Sequence, residues 1–160
     1  MTGNAHVLDD LEARGLVHDT TDRDALHEAL GAGPVVVYAG EQHLPYERPP
    51  LSKGYLLGKD AWEKAEVHDA AWYVDHDIDL RIGQRVTALD LETSMLRTDG
   101  GAESFDRLLL ATGATPRRLA LADGSGRSVH YLRTREDSDR LKAAFAGQGR
   151  VVVIGAGWIG

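Results

Sequence analysis

Apolar residues recur along this chain with two different periods. Val7, Leu8 and Leu11 stand at helical spacing ahead of Gly15, which predicts a first helix over 7–14. Thr21-Asp22-Arg23-Asp24 reads as a capping-box-like start. Leu26 and Leu30 lie on one face of the second helix it opens, and Gly31 can close that helix. Pro34 punctuates, and Val35-Val36-Val37-Tyr38 predicts a buried strand. Residues 61–75 are helix-like but weakly patterned. From Ile78 the period shortens to two. DLRI, RVTALD and MLRT predict short strands, with turn signals at Gly83 and Asp99-Gly100-Gly101. FDRLLLA (Phe105 to Ala111) predicts a strand running into Thr112-Gly113. Residues 134–146 predict a helix with Leu141, Ala144 and Phe145 apolar, and Val151 to Ile154 predicts a last strand. The order is helix, helix, strand, loop, meander, strand, helix, strand, which is α/β or α+β.

One stretch breaks the periodicity. Pro45, Pro49 and Pro50 all fall within residues 41–60, so the chain there begins as an extended loop, because a residue before proline avoids the helical region. Ser52 can cap a short helix through Leu57, ended by Gly58. There is no internal repeat and no low-complexity tract.

Composition narrows the classes. With 160 residues, 42% hydrophobic and 27% charged, the chain is long enough for one globular domain with a sizeable core. The formal net charge of -7 argues against a general binder of nucleic acid or acidic membranes. There is no cysteine, which excludes disulfides, thiolate metal sites, iron–sulfur ligation and a redox dithiol. No apolar run reaches membrane-spanning length, and MTGNAHVLDD is too acidic for a signal peptide, so the cytoplasm is the expected location. G-x-S-x-G, H-E-x-x-H and the P-loop pattern are all missing. His76 stands among Asp75, Asp77 and Asp79, but consecutive residues of a polar turn seldom converge on one ion. A solvated turn is expected there, and no metal site. Trp62, Trp72 and Tyr73 are expected to be packing residues.

Three segments carry candidate chemistry. YERPPLSK (46–53) holds a rigid double proline flanked by Arg48 and Lys53, which can set cations beside a phosphate or an electron-rich ring. A stiffened surface loop with solvated charges is the alternative. LATGATPRR (110–118) is a strand-to-glycine turn whose small residues let backbone approach a ligand, or an ordinary turn. VVVIGAGWIG (151–160) sets Gly155, Gly157 and Gly160 in a G-x-G-x-x-G fingerprint after an apolar β-branched run. Such a fingerprint presents a dinucleotide pyrophosphate to a helix N-terminus, while a glycine-rich turn is the plainer reading.

HLPYERPPLSKGYLLG, RVTALD, FDRLLLATGATPRRL, YLRTREDSDRLK and VVVIGAGWIG occur in that order. Together they resemble the FAD-dependent NAD(P)H:ferredoxin reductases of the oxygenase-coupled type, related to putidaredoxin and rubredoxin reductases, across residues 41–160. The resemblance implies an α/β, Rossmann-like FAD/NAD(P)-linked reductase fold with a β-meander, incomplete here and preceded by a two-helix leader. By it, Glu41 matches the acid that binds the FAD adenosine ribose. Arg48, Pro49 and Lys53 match the loop against the flavin and its pyrophosphate, and Val86 a contact on the adenine side. Ala111, Thr112 and Gly113 match the turn closing over FAD, and Arg133 a cation near the flavin. Gly155, Gly157 and Gly160 match the start of an NAD(P)H domain. The implied chemistry is hydride transfer from NAD(P)H to the flavin, then single electrons to a ferredoxin-type acceptor.

The family also begins with its own G-x-G-x-x-G, and none precedes residue 151 here. Residues 7–40 instead resemble the N-terminus of bacterial tyrosyl-tRNA synthetases, with Tyr38 at a tyrosine-pocket position. The expected organisation is therefore a leader over 1–40, a partial FAD domain over 41–148 and the first strand and loop of an NAD(P)H domain over 149–160. The leader helices are expected to lie over the sheet. Val151 to Ile154 should be loosely held, flavin binding should be weak, and the isolated chain should be inactive. Alternatives are a tyrosine–tRNA ligase remnant and a non-catalytic folded fragment.

Overall fold

The computed structural model describes residues 33–147 and 149–155, with residues 24, 25, 28 and 31. The predicted helix over 7–14 lies outside them. Within the second predicted helix, Asp24, Ala25 and Glu28 are helical, and Gly31, expected to close it, is helical as well. The described residues form two compact units.

One unit comprises the described residues up to Pro45 together with His68–Leu110. Its β1 (Val35–Ala39) pairs in parallel with β2 (Ile78–Ile82), from Val35 opposite Ile78 to Ala39 opposite Ile82. The β-branched run at Val35-Val36-Val37 makes a strand for the reason its pattern predicts: branched side chains pack well on a pleated surface. The helix α1 (Ala70–Asp75) precedes β2 and packs on it. Asp69 starts α1 by accepting a hydrogen bond from the Trp72 amide at 2.9 Å, so residues 61–75 do not form one continuous helix. The His76 ring closes α1, its Nδ1 lying 2.7 Å from the Trp72 carbonyl, and Trp72 stacks between His68 and His76. Strands β3 (Val86–Asp90), β4 (Met95–Thr98) and β5 (Gly101–Ser104) form an antiparallel meander with a bulge between Val86 and Ala88. Strand β5 was not foreseen. All four of its residues are exposed, so it has no buried face and no apolar alternation to read. Arg81 donates to the Tyr38 hydroxyl at 2.7 Å and pairs with Asp79 and Glu103.

The other unit comprises Tyr46–Val67 and the described residues from Ala111 on. A 3-10 turn (Pro49–Ser52) replaces the helix expected from Ser52 to Leu57. The two prolines fix the backbone at the turn's start, Ser52 ends it rather than opening a helix, and residues 53–58 continue as turns. A second 3-10 turn spans Trp62–Lys64. The short α2 (Ala120–Asp123) is tied to its loop through Asp123. Arg118 donates to both oxygens of Asp123, at 3.0 and 2.9 Å, and the Tyr131 hydroxyl donates to Asp123 at 3.1 Å. The helix α3 (Arg135–Ala146) starts as a capping box: Thr134 Oγ1 accepts from the Asp137 amide, and Asp137 Oδ2 accepts from the Thr134 amide. Its core contact is Ser138, fully buried, whose hydroxyl donates to the Leu51 carbonyl at 2.9 Å. Leu51, Tyr55 and Ala65 are the buried apolar residues here.

Two predicted strands are absent. Phe105–Ala111 is irregular, with Leu109 74% and Leu110 64% exposed, and Val151 to Ile154 is irregular and exposed along its length. A strand exists through hydrogen bonds to a neighbour. Among the described residues no strand pairs with either segment, so their apolar character alone does not make them strands. No helix among the described residues is long and apolar enough to cross a membrane.

Tyr38 and Tyr55 titrate late. Burial, then a hydrogen bond to Asp139, raises Tyr55 above its ordinary 10.0. Burial, then a hydrogen bond to Glu103, raises Tyr38 likewise. A raised folded value means the unfolded chain ionises first. Their stabilisation is thus complete below the unfolded value of about 10 and is lost as pH climbs through the raised folded ones. A spectrophotometric alkaline titration should show two of the five tyrosines, Tyr38 and Tyr55, ionising above the ordinary value. Five phenolates appearing together near the ordinary value would contradict this.

Candidate functional site

The double proline and α3 build the densest group of candidate residues. Pro49 opens the 3-10 turn and is itself exposed, which leaves Arg48 half-buried just before it. Arg48 Nη1 donates to the Arg133 carbonyl at 2.8 Å and to the Tyr46 hydroxyl, and the guanidinium lies 4.4 Å from the centre of the Tyr46 ring. Tyr46 also accepts from the Arg135 amide at 3.2 Å. One phenol thus ties the loop to the start of α3. The Asp137 carboxylate accepts from the Arg133 amide at 2.8 Å, which orients the residue before the helix. Arg133 reaches back over Gly113: a β-carbon there would lie 2.8 Å from its Nη2, and Gly113 has φ of 67°. A side chain at that point would have to adopt the left-handed backbone that glycine favours and push the Arg133 guanidinium aside.

Arg48, Leu51, Ser52, Leu132 and Arg133 enclose a cavity of about 50 Å³. That is well below the roughly 300 Å³ of a small-molecule pocket. It suits a group of phosphate size. The two guanidiniums that line it form a donor set that matches an anionic pyrophosphate. Lys53, Ala111 and Thr112 are exposed beside these elements in sequence, and Lys53 makes no ion pair among the described residues. Gly155 is exposed, while Gly157 and Gly160 lie outside the described residues.

The remaining two candidates belong to the unit of the sheet. Glu41 is half-buried just past the carboxyl end of β1, and Val86 is half-buried at the start of β3 opposite Thr98. The Gly83 amide donates to the Glu41 carbonyl at 2.9 Å. Gly83 has φ of 73°, and a β-carbon there would fall 2.6 Å from the Gln42 side chain. Gly83→Ala is expected to destabilise by about 1–2 kcal/mol through the left-handed backbone and to displace Glu41. Thermal melting and the amide shift of Gln42 read the two effects. An unchanged melting temperature would refute the account.

Tyr46, Ser138 and Asp137 escaped sequence reading. Each acts through a partner distant in sequence or through backbone, except that Thr134-x-x-Asp137 carries a capping-box pattern that a closer reading of the helix start would have found. Among the described residues no group of three or more His, Cys, Asp or Glu side chains could hold a metal ion.

The profile of the pyridine nucleotide-disulphide oxidoreductase family matches residues 24–160. The chain is 40% identical over 138 residues to the ferredoxin–NAD(+) reductase component of the anthranilate 1,2-dioxygenase system of Burkholderia cepacia, a match covering 86% of this chain and 34% of that protein. It is 37% identical over 147 residues to the corresponding component of the biphenyl dioxygenase system of Paraburkholderia xenovorans, covering 91% of this chain and 36% of the relative. A crystal structure of a ferredoxin reductase from Rhodopseudomonas palustris superposes with a TM-score of 0.75 at 36% identity, over 85% of this chain and 34% of that one. The covalent putidaredoxin reductase–putidaredoxin complex matches with a TM-score of 0.66 at 33% identity, over 73% of this chain and 29% of the solved one. The chain thus spans about a third of the length of these relatives. The family match begins at residue 24, inside the stretch likened to a synthetase, and takes in β1.

Proposed function

Because this chain belongs to the pyridine nucleotide-disulphide oxidoreductase family, we propose that it forms part of an FAD-dependent reductase that takes electrons from NAD(P)H and delivers them to a ferredoxin-type acceptor. The observation that carries this reading is the convergence of Arg48 and Arg133, 85 positions apart, on a phosphate-sized cavity. Arg48, held through Arg133 and Tyr46, would hold the pyrophosphate, with Arg133 as second cation. Pro49 stiffens the loop, and Lys53 adds charge at its exposed end. Ala111, Thr112 and Gly113 leave room for backbone to approach the cofactor. Glu41 accepts the adenosine ribose hydroxyls, and Val86 borders the adenine. When bound, FAD supplies the redox chemistry, between a two-electron nicotinamide and a one-electron acceptor. The chain's own part is to bind, orient and balance charge.

We assign residues 41–148 to the FAD-binding portion and 149–160, with Gly155, Gly157 and Gly160, to the start of the NAD(P)H-binding portion. Residues 24–40 are assigned to the FAD-binding portion as well, on the overlap with the family match. Stabilisation by tyrosine would restore the synthetase origin of 7–40. The cytoplasm, which holds the nicotinamide pool, is the assigned compartment.

The test is to mix the purified chain with FAD, separate it by gel filtration and look for a co-eluting flavin spectrum, then for bleaching by NADH or NADPH. Co-elution supports the assignment of the FAD-binding residues, and bleaching supports the nicotinamide assignment. Absence of any FAD binding, by gel filtration and by titration to millimolar concentration, would sink the reading.

A further inference from the structure

The parallel strands β1 and β2 end together, Ala39 opposite Ile82, and ligands of parallel α/β sheets bind beyond the carboxyl ends of their strands. Gly40 and Glu41 follow β1 there, while Gly83, Gln84 and Arg85 follow β2 and lead into Val86. The bond from the Gly83 amide to the Glu41 carbonyl, 2.9 Å, holds the two loops side by side.

Arg85 occupies this edge in a particular way. A β-carbon built on Gly40 would meet its Cζ at 3.8 Å, Nη2 at 3.8 Å and Nε at 3.9 Å. A point so far out can be equidistant from three atoms of a planar group only if it lies close to the normal of that plane. The guanidinium therefore lays its flat face over Gly40, at ordinary van der Waals distance from where a β-carbon would stand. Arg85 is exposed and makes no hydrogen bond or ion pair among the described residues. A delocalised, weakly hydrated cation presented face-on is suited to stacking on an aromatic plane.

We propose that Arg85 is the stacking platform for the purine ring of a nucleotide bound at the carboxyl ends of β1 and β2. This rests on the reading that the chain binds FAD, and names a further residue for the adenosine end of it. The neighbouring charge decides which end of the nucleotide belongs here. A carboxylate at Glu41 accepts the hydroxyls of a ribose and repels a phosphate. Arg85 beside it is thus matched to the base, with ribose on the acid and the phosphates directed elsewhere.

Adenosine, ADP and ribose 5-phosphate are titrated into the full chain, with NMR detection of the Arg85 Nε–Hε signal, and into Arg85→Ala and Arg85→Lys. Adenosine and ADP should move that signal and ribose 5-phosphate should not. Both variants should weaken adenosine about 5- to 30-fold, since lysine keeps the charge but not the plane. Their melting temperatures should match the parent, because Arg85 is exposed. Parent-like adenosine affinity in Arg85→Lys overturns the proposal, as does a loss confined to ADP and ribose 5-phosphate, which would make Arg85 a phosphate contact. If the parent chain binds neither adenosine nor ADP, the FAD reading fails together with this one. If the parent binds and Arg85→Ala binds equally, this proposal alone fails.

Discussion

Arg48→Ala is expected to weaken FAD binding about 10- to 100-fold, the loss of a hydrogen bond to a charged group worth roughly 1.5–3 kcal/mol. The guanidinium is positioned before any ligand arrives. It is held by the Arg133 carbonyl at 2.8 Å, by the Tyr46 hydroxyl and by the face of the Tyr46 ring. Little side-chain entropy then remains to be lost on binding, which is why a large share of the interaction survives as affinity. Arg48→Lys should restore little, since one ammonium cannot hold the Arg133 carbonyl and a pyrophosphate oxygen in the same fork. Lys53→Ala should cost less, and its effect should shrink with added salt, because Lys53 is exposed. Equilibrium titration of flavin fluorescence at two salt concentrations separates these cases. Parent-like FAD affinity in Arg48→Ala would remove Arg48 from the site.

The second large effect is on stability. Leu51→Ala is expected to cost about 2–5 kcal/mol, the range for emptying a packed aliphatic site. Leu51 is 1% exposed, and its unit has few other buried apolar residues to absorb the void. Its carbonyl is also the acceptor for the fully buried Ser138 hydroxyl, so a collapse around position 51 strains the bond that anchors α3. Leu57→Ala, at a residue 66% exposed in the same loop, should change stability by no more than about 0.5 kcal/mol. Urea unfolding followed by fluorescence in a Trp72→Phe, Trp158→Phe background, which leaves Trp62 as the one tryptophan, compares the two. Trp62 is a local reporter because it sits edge-on to Tyr46 and Tyr55. Equal midpoints for the two variants would show that Leu51 is not the anchor of this unit.

Much of the fold was legible before any coordinates. The run at Val35, the alternation from Ile78 to Thr98 and the helix over 134–146 each follow from a local rule, and each is found within a residue or two of its expected bounds. Local rules failed where a segment's fate depended on something not local. LLLA of FDRLLLA and VVVI are apolar runs like β1, yet β1 has β2 to bond with and they have no partner strand among the described residues. Residues 61–75 have helix-forming composition, yet the Asp69 cap restarts the backbone and splits them.

The candidate site divides in the same way. By itself the sequence determined the residue types: cations around a double proline, small residues at 111–113, an acid just past an apolar strand, a closing glycine fingerprint. Those follow from local chemistry, since proline fixes φ and glycine frees it wherever they stand. Only the tertiary structure decided that Arg48 reaches the Arg133 carbonyl, that Gly113 makes room for the Arg133 guanidinium, and that Arg85 lies flat over Gly40. Each of these joins residues at least 20 positions apart at distances of 4 Å or less. Hydrogen bonds and van der Waals attraction act only at that range, so pairings of this kind leave no periodic trace in the order of residues.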